Sequence, residues 1–186
     1  MNEKFWIVPN ILSLLRIILT IPISVLLLLD NEVSRLFAFG FMIIAAFTDI
    51  IDGYFARKFD QVTELGKILD PLADKIAVGV ISGILTFQGK IPLWFFVAII
   101  GRDALIFSGG VYLKKVKGIV PISNQMGKWT ATILAVFLIM VVLDFKKLVL
   151  IKEVLLYTCL TLLILSFVLY IKRFVNLINN NSKSTL

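Results

Sequence analysis

Six long apolar runs, separated by short polar turns, organise this chain. The pattern predicts helices over about Asn10–Leu29, Leu36–Arg57, Gly66–Phe87, Leu93–Lys114, Met126–Leu143 and Leu148–Arg173. The breaks between them are Asp30–Arg35, Lys58–Leu65, Gln88–Pro92, Lys115–Gln125 and Asp144–Lys147. They collect the Gly, Pro, Asp and Asn residues that stop helices. The stretch from Asn176 to Leu186 is polar and predicts a frayed tail.

Each run is about the length that crosses a bilayer, roughly 20 residues. Composition agrees: 59% of the residues are hydrophobic and the mean hydropathy is +0.97. A soluble domain is usually about half apolar. The expected fold class is therefore an all-α integral membrane protein with six transmembrane helices, forming a single domain over residues 1–186. The first run is too long for a cleaved leader, holds Arg16 and lacks a small-residue cleavage site, so it predicts a retained helix. Phe5 and Trp6 suit a membrane interface.

Charge refines the topology. The net charge is +7. Six spans put both termini on one side. That side holds eleven basic residues: Lys4, Arg57, Lys58, Lys67, Lys114, Lys115, Lys117, Lys128, Lys172, Arg173 and Lys183. The other side holds five: Arg35, Lys90, Lys146, Lys147 and Lys152. The positive-inside rule predicts cytoplasmic termini in a multi-pass protein of the cell (inner) membrane. The positive charge points to topology and anionic membrane lipids. No soluble basic, aromatic-rich surface suggests a nucleic-acid partner.

The acids break the apolar pattern. Asp49 and Asp52 lie three apart near the end of the second run, and Asp70 and Asp74 lie four apart near the start of the third. Each spacing puts a pair on one helical face. The connection is short, which predicts antiparallel neighbours with all four carboxylates at matched depth, one or two turns below the cytoplasmic surface. Four ionised carboxylates together repel strongly unless they are protonated or hold cations. The chain has no histidine, and Cys159 is its one cysteine. That leaves oxygen-ligand chemistry as the main option beside protonation: hard divalent ions such as Mg²⁺ or Mn²⁺ take oxygen ligands and bind phosphates, and two of them would suit an in-line displacement. Gly53, Gly66 and Ala56 leave room beside the acids. Arg57 offers a planar fork for a phosphate. Pro71 predicts a position in the first helical turn or a kink. Asp60 and Glu64 predict solvated charges at the helix ends.

With Asp49 three residues ahead, Asp52-Gly53-x2-Ala56-Arg57-x8-Gly66-x3-Asp70-x3-Asp74 resembles the complete signature of the CDP-alcohol phosphatidyltransferase family. The resemblance implies transfer of a substituted phosphoryl group from a CDP-linked donor to an alcohol, with release of CMP. It implies a homodimer with cytoplasm-facing sites. By the same resemblance Asp49, Asp52 and Asp70 ligate two divalent metals, and Asp74 lies at the metal site and is the general base. Asp49, Asp52, Gly53, Ala56, Arg57, Gly66 and Asp70 would then form the CDP pocket.

Pro9–Arg16, PNILSLLR, resembles the opening of the family's first helix, with Ser13 where threonine is usual. Asn10, Ser13 and Arg16 are thus further candidates beside the site. Asn10 and Ser13 also suit ordinary helix N-terminal chemistry, and Arg16 could snorkel to the interface.

The acceptor is read from Arg102 and Lys128, two cations expected to face the site and hold an acceptor phosphate. Family members that make phosphatidylglycerophosphate carry an Arg-Glu pair and a Gly-Lys-x-Lys-Thr segment there. This chain has Arg102-Asp103 and Gly127-Lys128-Trp129-Thr130. The Arg-Asp form also resembles cardiolipin synthases of the family. The expected substrates are CDP-diacylglycerol and glycerol 3-phosphate, with phosphatidylglycerol as the alternative acceptor. Two other classes fit intramembrane acids: a small cation transporter, and a structural membrane protein. Clustering of the acids at one end, without a second group along a pathway, weighs against transport.

Overall fold

The computed structural model describes residues 8–58, 66–117 and 125–180, and leaves undescribed the side chains of residues 8–10, 49–58, 66–70, 117, 146 and 179–180. Among the described residues the chain is all-helical. It contains α1 (Val8–Leu29), α2 (Glu32–Lys58), α3 (Gly66–Phe87), α4 (Leu93–Lys117), α5 (Gln125–Leu143) and α6 (Val149–Asn180), with a 3₁₀ turn at Lys146–Leu148 before α6. Among the described residues, four helical segments are long and apolar enough to cross a membrane: Ile11–Leu29, Leu93–Val116, Gln125–Leu143 and Val149–Ile178.

Three predicted boundaries move outward. The turn expected over Asp30–Arg35 is mostly the first turn of α2. Asn31 caps it, its side-chain oxygen accepting from the Ser34 amide at 2.8 Å, and Glu32 sits favourably at the positive end of the helix. Asp30 turns the chain in a left-handed conformation, φ 47°, which aspartate tolerates. The expected tail is helical as far as Asn180, and α4 continues to Lys117. In both places the helix simply carries on, since no glycine or proline interrupts it. Pro71 lies inside α3, past its first turn, so α3 lacks the bond that a residue 71 amide would make.

The contacts gather in two compact units. The first holds α1, α2, α3 and Leu138–Phe145, and the second holds Pro92–Phe137 and α6.

In the first unit α1 packs against both α2 and α3. α1 thus touches both acid-bearing helices; the connection expected to make α2 and α3 antiparallel neighbours, residues 59–65, lies outside the described residues. Two levels of contact fix the directions. Arg16 bonds Asp74, while Gln88 Nε2 donates to the Leu27 carbonyl at 2.6 Å and Lys90 pairs with Asp30. So α1 and α3 run parallel. The tight Asp30–Asn31 turn makes α2 antiparallel to α1. α3 ends in a glycine cap: Lys90 N donates to Leu85 O and Gly89 N to Thr86 O, both at 2.9 Å, with Gly89 at φ +72°. Ile23, Leu27, Ala38, Met42, Ala73, Ile81 and Leu85 form the buried seam.

In the second unit α4 packs on α6. Arg102 Nη2 donates to Ser166 Oγ at 3.0 Å, and the Tyr170 hydroxyl donates to the Ile106 carbonyl at 3.0 Å, so these helices also run parallel. Phe95 and Phe137 are both buried and meet edge to face, centroids 5.3 Å apart. The outward faces are apolar: Ile18, Ile21, Val25, Val97, Leu165 and Val168 are all exposed. Water would not tolerate so large an apolar surface, whereas a bilayer would.

Candidate active site

The four aspartates divide between α2, which carries Asp49 and Asp52, and α3, which carries Asp70 and Asp74. Helical rise gives their heights above the common turn end of the first unit. Asp49 is eighteen residues from Asn31, and Asp70 eighteen from Gln88. At 1.5 Å per residue both lie ~27 Å from that end. Asp52 lies ~32 Å away, and Arg16 and Asp74, each fourteen residues from the turn, lie ~21 Å away. By this residue count Asp49 and Asp70 share a height, while Asp52 lies about 5 Å beyond them and Asp74 about 6 Å short of them, so the four acids span about two helical turns. The side chains of Asp49, Asp52, Ala56, Arg57, Asp70 and Asn10, and the surroundings of Gly53 and Gly66, lie outside the described residues.

Asp74 is the member of the set with a described side chain. Arg16 Nη1 donates to its Oδ1 across 58 residues of sequence. The arginine side chain is 4% exposed and the aspartate 52%, so a buried cation on α1 reaches an accessible carboxylate on α3. A cation inside an apolar span needs a counter-charge, and Asp74 supplies it. Ser13, one turn earlier, is fully buried. Thr20 Oγ1 donates to the Arg16 carbonyl at 2.9 Å, anchoring the next turn of α1.

Arg102 and Lys128 belong to the second unit. Arg102 is held on two sides, by Asp103 Oδ1 at 2.6 Å and by Ser166 Oγ. Its Nε is buried without a hydrogen-bond partner. Lys128 is exposed in the first turn of α5. Sequence patterning missed Ser166 as a partner of Arg102, because a lone serine in an apolar helix carries no signal of what it faces. It placed Arg16 near the site but had no means of naming Asp74 as its partner.

Comparison with known proteins decides the family. The family model for CDP-alcohol phosphatidyltransferase matches residues 6–171. The chain belongs to that family.

This phosphatidyltransferase is 39% identical over 170 residues to the CDP-diacylglycerol–glycerol-3-phosphate 3-phosphatidyltransferase of Aquifex aeolicus, covering 88% of this chain and 93% of that protein. The protein of the same name from Rickettsia typhi is 35% identical over 117 residues, 62% of this chain and 65% of that protein. Human cardiolipin synthase (CMP-forming) is 35% identical over 113 residues, 60% of this chain and 36% of that protein. Family membership selects the enzyme over the transporter and the structural protein. Together with the long apolar helices it makes the chain a multi-pass membrane phosphatidyltransferase.

Proposed function

We propose that this phosphatidyltransferase moves the phosphatidyl group of CDP-diacylglycerol to glycerol 3-phosphate, forming phosphatidylglycerophosphate and CMP. The observation that carries this is the match to the Aquifex protein over nearly the whole of both chains. The acceptor hydroxyl oxygen bonds to the lipid-side phosphorus. The bond from that phosphorus to the diphosphate bridging oxygen breaks, and CMP leaves with its electron pair. The hydroxyl proton goes to Asp74, a half-exposed carboxylate held in place from α1. Arg102 and Lys128 are the proposed holders of the acceptor phosphate.

The donor set fits divalent ions. It is four carboxylates, in a chain without histidine and with its single cysteine buried in α6. Asp49, Asp52 and Asp70, with Asp74 beside them, would hold two Mg²⁺ or Mn²⁺. Bound there, such ions would supply neutralisation of the diphosphate and of the leaving CMP. Gly53, Ala56, Arg57 and Gly66 complete the proposed CDP pocket, with Asn10 and Ser13 at its α1 side.

Six spans, cytoplasmic termini and sites, an inner-membrane location and a homodimer complete the proposal. The charge count supports the orientation, since basic residues outnumber those on the other side eleven to five. The second reading, a cardiolipin synthase using phosphatidylglycerol, is favoured by the Arg102–Asp103 pair and by the similarity to the human protein. Product analysis separates the two. Purified protein with CDP-diacylglycerol, Mg²⁺ and glycerol 3-phosphate is expected to yield phosphatidylglycerophosphate. Cardiolipin formed only when phosphatidylglycerol is supplied would establish the second reading instead.

A further inference from the structure

A carboxylate cannot serve an ion with both oxygens and also act as an effective base, because a lone pair bound to a dication is a poor proton acceptor. In this chain Asp74 stands in that conflict, four residues from Asp70 on the same face of α3. The structure shows what could resolve it. Arg16 holds Oδ1 of Asp74 from within α1, where the guanidinium is almost fully buried. Arg16 and Asp74 share a height ~21 Å from the turn end, while Asp49 and Asp70 lie ~6 Å further along. The arginine therefore meets Asp74 at its own level, from the α1 side. Its planar fork fixes carboxylate direction better than an ammonium would.

We propose that Arg16 is the positioning residue for Asp74: it draws Oδ1 toward α1, keeps Asp74 from chelating an ion through both oxygens, and so reserves it for the acceptor proton. This rests on the reading of Asp74 as the base of phosphatidyl transfer. The arginine is also a like charge for any ion at the acids, so it lowers metal affinity while raising turnover. A purely structural arginine would not produce those opposite effects.

The test uses the full chain in detergent, with Arg16→Gln and Arg16→Lys. Mn²⁺ binding is followed by electron paramagnetic resonance without substrate, and CMP release gives kcat and KM. Arg16→Gln is expected to bind Mn²⁺ about tenfold more tightly, from loss of the nearby positive charge. Its kcat is expected to fall about 100-fold from a misdirected base, with KM for CDP-diacylglycerol within about twofold of wild type. Arg16→Lys, which keeps the charge, should keep wild-type Mn²⁺ affinity and recover part of kcat. An unchanged kcat in Arg16→Gln overturns the proposal. So does a raised KM with kcat preserved, which would make Arg16 a substrate contact. Lower kcat with unaltered Mn²⁺ affinity overturns it too, in favour of a structural role. If Arg16→Gln does not fold, Arg16→Lys decides: wild-type Mn²⁺ affinity with partial kcat supports the proposal, and full kcat or changed affinity refutes it. A wild-type protein that binds Mn²⁺ but releases no CMP would refute phosphatidyl transfer itself. The Mn²⁺ comparison would still judge Arg16's hold on Asp74.

Discussion

The two ends of the first unit use the same side-chain chemistry to different effect. At the turn end Asp30 meets Lys90 and Arg35, and Arg35 also meets Asp144 at 3.2 Å. Two acids and two bases close on one another. They tie together the α1–α2 turn, the residue after α3's glycine cap and the residue after α5. Asp30 and Asp144 both adopt left-handed conformations, φ 47° and 48°, so each acid turns the chain as well as pairing it. At the other end four aspartates lie on two helices, and the described pair joins one of them to a buried arginine. Charges that cancel at exposed turns hold a fold together. Acids gathered on two apolar helices, within about two helical turns of one another, point to a ligand that brings positive charge.

That contrast can be broken at either end. The largest effect is expected at the acid end. Asp70→Asn should lower CMP release by on the order of 100-fold or more, because a proposed metal ligand beside the reacting phosphates is lost. Its melting temperature should stay within a few degrees of wild type. A large fall in melting temperature with modest loss of rate would make Asp70 a structural residue. Chelation of divalent ions should likewise stop CMP release, and Mg²⁺ or Mn²⁺ should restore it. Rates unaffected by a strong chelator would remove the metal reading altogether.

Effects on stability should come from other places. At Gly109 an added Cβ would lie 2.6 Å from the Tyr170 hydroxyl and 3.4 Å from Phe174. Tyr170 cannot swing aside without losing its bond to the Ile106 carbonyl. Gly109→Ala is expected to cost about 1–2 kcal/mol by overpacking, read from thermal unfolding in detergent. An unchanged melting point would show that α4 and α6 can separate at no cost. The smallest effect is expected at the turn end. Arg35 is 17% exposed and its partners Asp30 and Asp144 are 42% and 36% exposed, so Arg35→Ala should cost about 0.5–1 kcal/mol and leave turnover unaltered. A loss of activity there would mean that the turn end is coupled to the site.

Much of this was legible in the sequence. Six apolar runs became six helices because period and length are local properties. The acid spacing was legible because helical rise converts residue number directly into height. Helix ends were less so. Asn31 caps α2 inside what composition marks as a turn, and an N-cap differs from a turn residue only in which amide it meets. Pairings across the fold were not legible at all. Arg16 finds Asp74 over 58 residues, and Arg102 finds Ser166 over 64, through packing that periodicity does not encode. That α1 touches both acid-bearing helices was hidden for the same reason.

The most direct test of the central claim is CMP release from CDP-diacylglycerol by wild type and Asp74→Asn, side by side with glycerol 3-phosphate and Mg²⁺. Asparagine can still accept a bond from Arg16 but cannot take the proton. The expected result is acceptor-dependent release by wild type and a loss of about 1,000-fold in the variant, with the fold intact. Release that persists in Asp74→Asn would contradict the assignment of Asp74 as the base, and with it the account of how this site works.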